Sequence, residues 1–412
     1  MNTKAIRAFL EGVCGKVDCS RDKELGLLES LARGEWDGVP TVGIGGDLSI
    51  RDQISSLVDA IHWYRWYRER YPGASVLRFV IGEGNHTKQV LEALSTLIAA
   101  RHADSKPSLE FMLDGRVTRL RACPTFDTND ADANSKDSPR QWMQLIKDRF
   151  EKKAEPELVT ALSNEAKGLP FSWHLGVSAK YWSGRVEGVE VCCVYPSSEL
   201  GRIRFCNDGK RRLSEAGKEI ARLFKDVPPK FNRSHVEMVA EAIRGVVDSR
   251  QNRQLKELIV YQPEHRFETL VLRGEIHIPA GNRPGADWLK LAFEDRPFQF
   301  PAQWFTNDKA RYVDILMKEG NVPWVVELKY RTKWDGGYFR HAISQAVLYR
   351  QFIRKAPAVR KFLQDEMGLE VAECKTLVAF PKTQDLDSEQ LKSLRELAAD
   401  FDVEVVPIDD VR

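Results

Sequence analysis

Residues 312–329, YVDILMKEGNVPWVVELK, constrain the fold of this chain more than any other stretch. Two apolar runs, 312–317 and 322–328, flank a short segment that contains Gly320 and Asn321, residues suited to a tight turn. The second run is rich in β-branched residues, and its proline lies near its start, where a strand tolerates proline. The pattern predicts two strands joined by a turn.

The predicted hairpin carries charged residues within its apolar runs. Glu327 and Lys329 are two residues apart, so on a strand their side chains share a face, and the neighbouring strand can bring Asp314 beside them. Burying charges is costly unless they pair or bind a metal. The trio therefore predicts either a structural ion-pair cluster or a site where the acids bind a hard cation such as Mg²⁺ and the lysine faces a phosphate or the attacking water.

The spacing of the three residues favours the second interpretation. An acidic residue, twelve intervening residues and then Glu327-Leu328-Lys329 resemble the motif of the PD-(D/E)XK, or restriction-endonuclease-like, nuclease superfamily. Val313 stands where that motif often has a proline. The resemblance implies a nuclease in which Asp314 and Glu327 bind Mg²⁺ or Mn²⁺. It also implies that Lys329 orients the attacking water or stabilises charge that develops on phosphorus.

A short helix is predicted upstream of the hairpin, over residues 263–273, because a proline begins it and a glycine follows it. Members of the superfamily often carry a glutamate on their first core helix that completes the site. Glu268 is the candidate for this third acid and metal ligand, and Glu264, one turn earlier, is the runner-up.

A second helix is predicted downstream of the hairpin. His341, Gln345 and Tyr349 lie four residues apart on one stripe of this helix, beside an apolar face. The resemblance implies that Gln345 faces the site and helps to position the water or the phosphate. The alternative is a solvated helix residue.

Basic residues are concentrated immediately after the motif. The segment 329–361 contains nine basic residues and one acidic residue, although the net charge of the whole chain is only +2. Such a run beside an acidic metal site suits a phosphate backbone, so we predict that Arg331, Lys333 and Arg340, together with Tyr349, contact nucleic acid. The alternative is a solvated helix face. DNA is the substrate that the resemblance favours over RNA.

The predicted order of elements gives an α/β fold class. Residues 234–412 are predicted to form a restriction-endonuclease-like mixed sheet flanked by helices, and the resemblance itself covers about 255–412. Alternating strands and helices predict an N-terminal α/β domain over 1–128, with a Rossmann-like layer as one arrangement. A smaller α+β region is predicted over 140–226.

Local signals in the rest of the chain predict individual elements. Apolar spacing predicts helix over residues 1–35. Ser49 is predicted to begin a helix as its N-cap, and Asp114-Gly115 to form a hairpin turn. Ser234, with a glutamate three residues on, predicts the capping box of another helix.

Composition limits the compartment and the partners. The seven cysteines are scattered without paired C-x-x-C spacing, which argues against a disulfide framework or a structural zinc site. The sequence has neither a signal-peptide pattern nor an apolar run of about 18 residues, so a cytoplasmic protein without a membrane partner is expected. A homodimer is a further expectation, since homodimers are common where two strands are cut.

The N-terminal part leaves the biological role open. An α/β sensor joined to a nuclease of this type resembles effectors of prokaryotic anti-phage defence, and a small nucleotide is then an expected activator. Two alternatives remain: a catalytically silent protein that binds nucleic acid, and a ligand sensor that retains the nuclease fold.

Overall fold

The computed structural model describes residues 1–19, 31–100, 108–118, 138–151, 156–174, 181–186, 189–195, 200–206, 215–251, 263–293, 300–304, 311–330, 336–382 and 388–408. Its helices are α1 Thr3–Val13, α2 Ile50–Arg70, α3 Thr87–Ala99, α4 Pro139–Glu151, α5 Glu157–Glu165, α6 Glu215–Leu223, α7 Val236–Gln251, α8 Pro263–Leu272, α9 Gly336–Lys355, α10 Pro357–Asp365 and α11 Ser388–Ala399. Its strands are β1 Val17–Asp18, β2 Ala32–Trp36, β3 Val39–Ile44, β4 Val76–Ile81, β5 Ser108–Leu113, β6 Arg116–Thr118, β7 Phe171–His174, β8 Trp182–Val186, β9 Val189–Val194, β10 Gly201–Cys206, β11 Lys230–Phe231, β12 Lys290–Leu291, β13 Phe300–Ala302, β14 Arg311–Val313, β15 Ile315–Glu319, β16 Val322–Leu328, β17 Lys375–Pro381 and β18 Glu404–Ile408. None of these described helices is both long enough and apolar enough to cross a membrane.

A mixed sheet forms the N-terminal part, in the order β1-β2-β3-β4-β5-β6. Strands β3, β4 and β5 run parallel, and α2 and α3 connect them. As predicted, Ser49 caps α2, because its side chain accepts a hydrogen bond from the backbone N–H of Asp52. The β5–β6 hairpin turns at Asp114 and Gly115, whose φ angles of 45° and 81° match the predicted turn.

The predicted helix over residues 1–35 is correct only for α1 among the described residues. Cys14 already has extended backbone, and β2 begins at Ala32 and pairs antiparallel with β3. Pairing with a neighbouring strand overrides the helical spacing in this part of the chain.

The middle part is an antiparallel sheet in the order β11-β10-β9-β8-β7. Helices α5, α6 and α7 pack on it in one hydrophobic cluster. The predicted N-cap of α7 is wrong. Asn232 is the capping residue, it precedes a short 3₁₀ turn, and His235 completes the capping box instead of Glu237. Asn232 replaces Ser234 as the capping residue, because the side-chain oxygen of Asn232 accepts a hydrogen bond from the backbone N–H of Ser234.

The C-terminal part is a mixed sheet in the order β12-β15-β16-β17-β18. Strands β15 and β16 form the predicted hairpin, with Glu319 opposite Val322 and with φ of 60° at Gly320. Strands β16, β17 and β18 run parallel, so α9 and α10 cross from β16 to β17, and α11 crosses from β17 to β18. The α/β class predicted for the chain is confirmed.

One hydrophobic cluster joins the N-terminal sheet to the C-terminal sheet. It contains Val42 and Phe79 of the first sheet, Ile61 of α2, Val347 of α9 and Val378 of β17. Helix α4, predicted as part of the middle region, contributes its apolar face to the same cluster. The three-part division of the chain stays a prediction, but the first and third parts share a core.

Buried charges accompany this shared core. Asp59 of α2 and Arg340 of α9 form an ion pair of 2.5 Å in which both side chains are almost fully buried. Asp400, at the end of α11, lies 2.8 Å from Arg65 and 3.3 Å from His62. Helix α2 is therefore tied to the C-terminal part by ionic contacts as well as by apolar packing.

Candidate functional site

Asp314 lies at a break between two strands. Strand β14 ends at Val313 and pairs with β13, whereas β15 begins at Ile315 and pairs with β16. The Asp314 carboxylate accepts a hydrogen bond of 2.8 Å from the backbone N–H of Leu328. This bond positions the acid beside the end of β16, where the other two residues of the motif lie.

Glu327 and Lys329 form a buried ion pair on one face of the sheet, as their two-residue spacing predicts. The Lys329 Nζ atom is 2.6 Å from Glu327 Oε1 and 3.8 Å from Asp314 Oδ2. It also donates a hydrogen bond of 3.1 Å to the carbonyl of Leu328. The second carboxylate oxygen of Glu327, Oε2, is buried and has no hydrogen-bond partner among the described residues.

Burial dominates the electrostatics of the trio. It raises the pKa of Asp314 well above its ordinary value, and Glu327 raises it further against the opposing charge of Lys329. Burial likewise raises the pKa of Glu327, although Lys329 lowers it. Burial works against the charged form of Lys329, but Glu327 and Asp314 more than offset it, so the pKa of Lys329 is also raised. The lysine stays charged at neutral pH.

Two carboxylates of this cluster could hold a cation. No group of three or more His, Cys, Asp or Glu side chains that could hold a metal ion occurs among the described residues. Mg²⁺ does not require such a group, because it usually keeps several waters and binds through one or two carboxylates plus substrate phosphates. The Glu327 Oε2 atom, without a hydrogen-bond partner in the described ranges, and the half-buried Asp314 together fit that mode. A cation there would also relieve the repulsion that raises the pKa of Asp314.

The predicted third acid lies on α8, against the middle sheet. Glu268 is buried, and its Oε1 atom is 3.8 Å from Nδ1 of His174 at the end of β7. After burial and Glu327, the charges of Glu268 and then Glu264 also raise the pKa of Asp314. Both acids on α8 therefore influence the site, and Glu268 has a buried histidine neighbour. The sequence gives no signal for His174, which is brought there by packing of a separate sheet.

The predicted glutamine is partly exposed on α9. Gln345 makes no hydrogen bond to Asp314, Glu327 or Lys329 within the described part of the chain. Tyr338, at the start of the same helix, was not singled out from the sequence. Its ring centroid is 5.7 Å from the Lys329 Nζ atom, within cation–π range.

Two of the four residues predicted to contact nucleic acid, Arg340 and Tyr349, lie in the core of the protein. Arg340 is buried and paired with Asp59, and Tyr349 is buried against Trp304. Neither side chain lies on an exposed basic surface. Arg331 and Lys333 lie outside the described residues.

Two further arginines of the basic run donate hydrogen bonds to backbone carbonyls of the C-terminal part. The fully buried Arg350 donates to the carbonyl of Phe401 at 2.6 Å, and Arg354 donates to the carbonyl of Cys374 at 2.6 Å. Arg350 is therefore not part of an exposed basic surface, whereas the half-buried Arg354 satisfies a backbone carbonyl next to β17.

Replacing His341 with phenylalanine is expected to remove part of the acid sensitivity of the protein. Burial, then Arg51 and Lys329, lowers the pKa of His341 from 6.5 to about 3. Below pH 6.5 the unfolded chain binds a proton here that the folded protein does not bind. Stability is therefore complete above pH 6.5 and decreases as the pH falls toward 3, by about 1.4 kcal/mol per pH unit.

Urea unfolding at several pH values measures this effect for both proteins. Phenylalanine preserves the edge-to-face packing of His341 on Trp304, whose ring centroids are 5.8 Å apart. The difference in stability between the two proteins should change with pH in the stated direction. A difference that is constant across the acid range would contradict the prediction.

No protein-family model matches the chain, and no curated protein sequence matches it at a significant level.

Proposed function

We propose that this protein is a metal-dependent nuclease that hydrolyses phosphodiester bonds of nucleic acid, with DNA as the favoured substrate. The observation that carries the proposal is the Oε2 atom of Glu327, which is buried beside Asp314 and Lys329 and has no hydrogen-bond partner in the part of the chain that the structure describes. A buried carboxylate oxygen without a partner is costly, and a cation is the partner that this donor set suits.

The order of elements supports the same proposal. Helix α8, the hairpin β15–β16, helix α9 and the parallel strand β17 follow one another along the chain and surround the trio. This order is that of the restriction-endonuclease-like core, so we propose that arrangement for the C-terminal part.

In the proposed reaction, Asp314 and Glu327 would hold Mg²⁺ or Mn²⁺, with Glu268 as an additional acid. A bound metal ion would supply Lewis-acid chemistry, polarising the scissile phosphate and lowering the pKa of a bound water. Lys329 remains charged because two carboxylates stabilise its ammonium group, and it can donate to the attacking water or to a phosphate oxygen. Gln345, half-buried on α9, would help to orient either group.

A catalytically silent protein that binds nucleic acid is the second candidate. The ion pair of 2.6 Å between Lys329 and Glu327 favours it, because such a pair can serve as a structural contact alone. In either case, we propose that the N-terminal part regulates or targets the site. A nucleotide activator and a role in anti-phage defence belong to this proposal by resemblance of architecture.

Cleavage is expected to require both a divalent cation and Asp314. The assay compares the intact protein with Asp314→Asn on plasmid, linear and single-stranded DNA and on RNA, with Mg²⁺, Mn²⁺ or EDTA. Asp365→Asn, at an exposed position at the end of α10, is the matched control and should cleave normally. Cleavage by Asp314→Asn or in EDTA would contradict the proposal, and binding without cleavage would favour the second candidate.

A further inference from the structure

The middle sheet has an apolar face and a polar face. Trp182, Val194 and Phe231 lie in the hydrophobic cluster that α5, α6 and α7 form on the apolar face. A Cβ atom on Gly201 would meet the ring of Phe231, so that ring occupies the space beside Gly201 on the same side. The residues one position before or after these point to the opposite, polar face, because side chains alternate along a strand.

Strand register brings a row of polar side chains together on the polar face. Ser183 of β8 is opposite Cys193 of β9. Cys193 is in turn opposite Arg202 of β10, and Arg202 is opposite Lys230 of β11. Both Arg202 and Lys230 are exposed, and like charges directly opposite each other destabilise a sheet. An anion bound between these two side chains would offset their repulsion.

Two tyrosines extend this row by one step along the strands. Tyr181 precedes β8 and Tyr195 follows β9, and their ring centroids are 5.5 Å apart. The guanidinium carbon of Arg202 lies 5.3 Å from the ring centroid of Tyr195, and that of Arg204 lies 4.8 Å from the centroid of Tyr181. Both tyrosines are half-buried, so part of each remains accessible. The polar face therefore presents aromatic rings beside cations.

The net charge of the polar face is positive. Its described residues on β8 to β11 include four basic side chains and one acid, which are Arg185, Arg202, Arg204, Lys230 and Glu190. Glu190 lies 3.7 Å from Arg204, so this pair holds the arginine beside the sheet. Arg202 and Lys230, by contrast, form no ion pair with a carboxylate of the described ranges. The two exposed cations are the ones that can bind an anion.

Single-stranded nucleic acid has the chemistry that fits this face. Its phosphates match the exposed charges of Arg202 and Lys230. Its unpaired bases can stack on a tyrosine ring, as bases do on the aromatic side chains of single-strand binders. A duplex offers the phosphates as well, but its bases are stacked on one another and are not available to a tyrosine.

We propose that the polar face of the middle sheet binds single-stranded nucleic acid, with Arg202 and Lys230 on phosphates and Tyr195 stacked on a base. DNA and RNA share this chemistry, so the proposal covers both. None of these residues belongs to the candidate metal site. The inference therefore goes beyond the proposed nuclease and does not depend on cleavage.

The test measures binding of fluorescein-labelled single-stranded DNA, single-stranded RNA and duplex DNA by fluorescence anisotropy, at salt concentrations from about 50 to 200 mM. All proteins are full-length, urea unfolding verifies that each variant is folded, and EDTA prevents the proposed cleavage of the probes. The intact protein should bind at least one single-stranded probe more tightly than the duplex. The two single-stranded probes show whether DNA or RNA is preferred.

Tyr195→Ala is expected to weaken binding of single strands by about 10-fold or more, because one base loses its stacking partner. Tyr195→Phe should retain most of the affinity, since the ring remains. Tyr71→Ala is the matched control, because Tyr71 is an exposed tyrosine at the end of α2 whose ring centroid lies 4.6 Å from that of Tyr67. Its loss should leave the affinity unchanged.

Lys230→Gln and Arg202→Gln should each reduce the slope of log K against log salt by about 0.7 for single strands, and the double variant by about 1.4. Arg202→Lys should retain the slope, because the charge remains. Lys167→Gln is the matched control for the loss of charge. Lys167 is an exposed lysine just after α5, in the helix layer on the apolar face, so its loss should not change the slope.

The outcomes separate this inference from the proposed function. Failure to bind either single-stranded probe, or equally tight binding of the duplex, would overturn the inference. An unchanged affinity in Tyr195→Ala, an unchanged slope in the double variant, or an equal change in the controls would also overturn it. Cleavage that requires Asp314 could still occur in each case, so the nuclease would stand. Losses of affinity and slope confined to this face would support the inference even if the intact protein cleaves nothing.

Discussion

Replacing Lys329 with methionine is expected to lower the free energy of unfolding by about 3 to 5 kcal/mol, and to lower kcat of the proposed cleavage reaction by about 10²- to 10³-fold. The variant removes the ammonium group that lies 2.6 Å from Glu327 and leaves that carboxylate buried without a charge partner. The pKa of Glu327 would then rise further, because Lys329 is the group that lowers it. The measurements are urea unfolding at neutral pH and initial rates of cleavage.

A double variant distinguishes the loss of the ion pair from the loss of packing. Glu327→Met with Lys329→Met replaces both charges by apolar groups, so it should be more stable than Lys329→Met alone, even though it is equally inactive. If the stability that the double variant loses relative to the intact protein equals the sum of the losses in the two single variants, the two residues do not interact and the electrostatic argument fails.

Replacing Arg340 with methionine is expected to lower the free energy of unfolding by about 3 to 5 kcal/mol, because it leaves the fully buried Asp59 without this partner. It should not reduce the slope of log K against log salt for nucleic-acid binding, since a buried arginine contacts no phosphate. Urea unfolding measures the first effect, and fluorescence anisotropy of labelled DNA at several salt concentrations measures the second.

Arg7→Met provides the comparison for this prediction. Arg7 also forms an ion pair, 2.9 Å from Glu11, but both side chains are exposed. Its loss should leave the urea midpoint unchanged, because exposed ion pairs are screened by solvent. A reduced salt slope in Arg340→Met with unchanged stability would show that Arg340 leaves Asp59 and contacts substrate.

The sequence predicted those parts of the fold that depend on neighbouring residues. The turn at Gly320, the cap at Ser49 and the pairing of Glu327 with Lys329 each follow from spacings of a few residues. These features are local, so side-chain chemistry and strand periodicity determine them. The α/β class follows from the same signals repeated along the chain.

Contacts between residues far apart in the chain could not be predicted from the sequence in this way. The basic run predicted an exposed surface, yet Arg340 and Arg350 are buried, because α2 and the turn before β18 supply partners that no local pattern indicates. The guanidinium of Arg51 lies within cation–π range of Tyr338 for the same reason, since α2 packs on α9. Similarly, His174 reaches Glu268 from a separate sheet.

The shared core of the first and last sheets has a consequence for how this protein could have been assembled. Helix α9 covers one face of the C-terminal sheet, α2 packs on α9, and the ion pair of Asp59 with Arg340 is buried where the two helices meet. A C-terminal fragment that begins near residue 255 would expose this apolar face and would leave Arg340 without Asp59. Recombination could therefore not transfer the C-terminal sheet intact into another gene unless α2 were transferred with it.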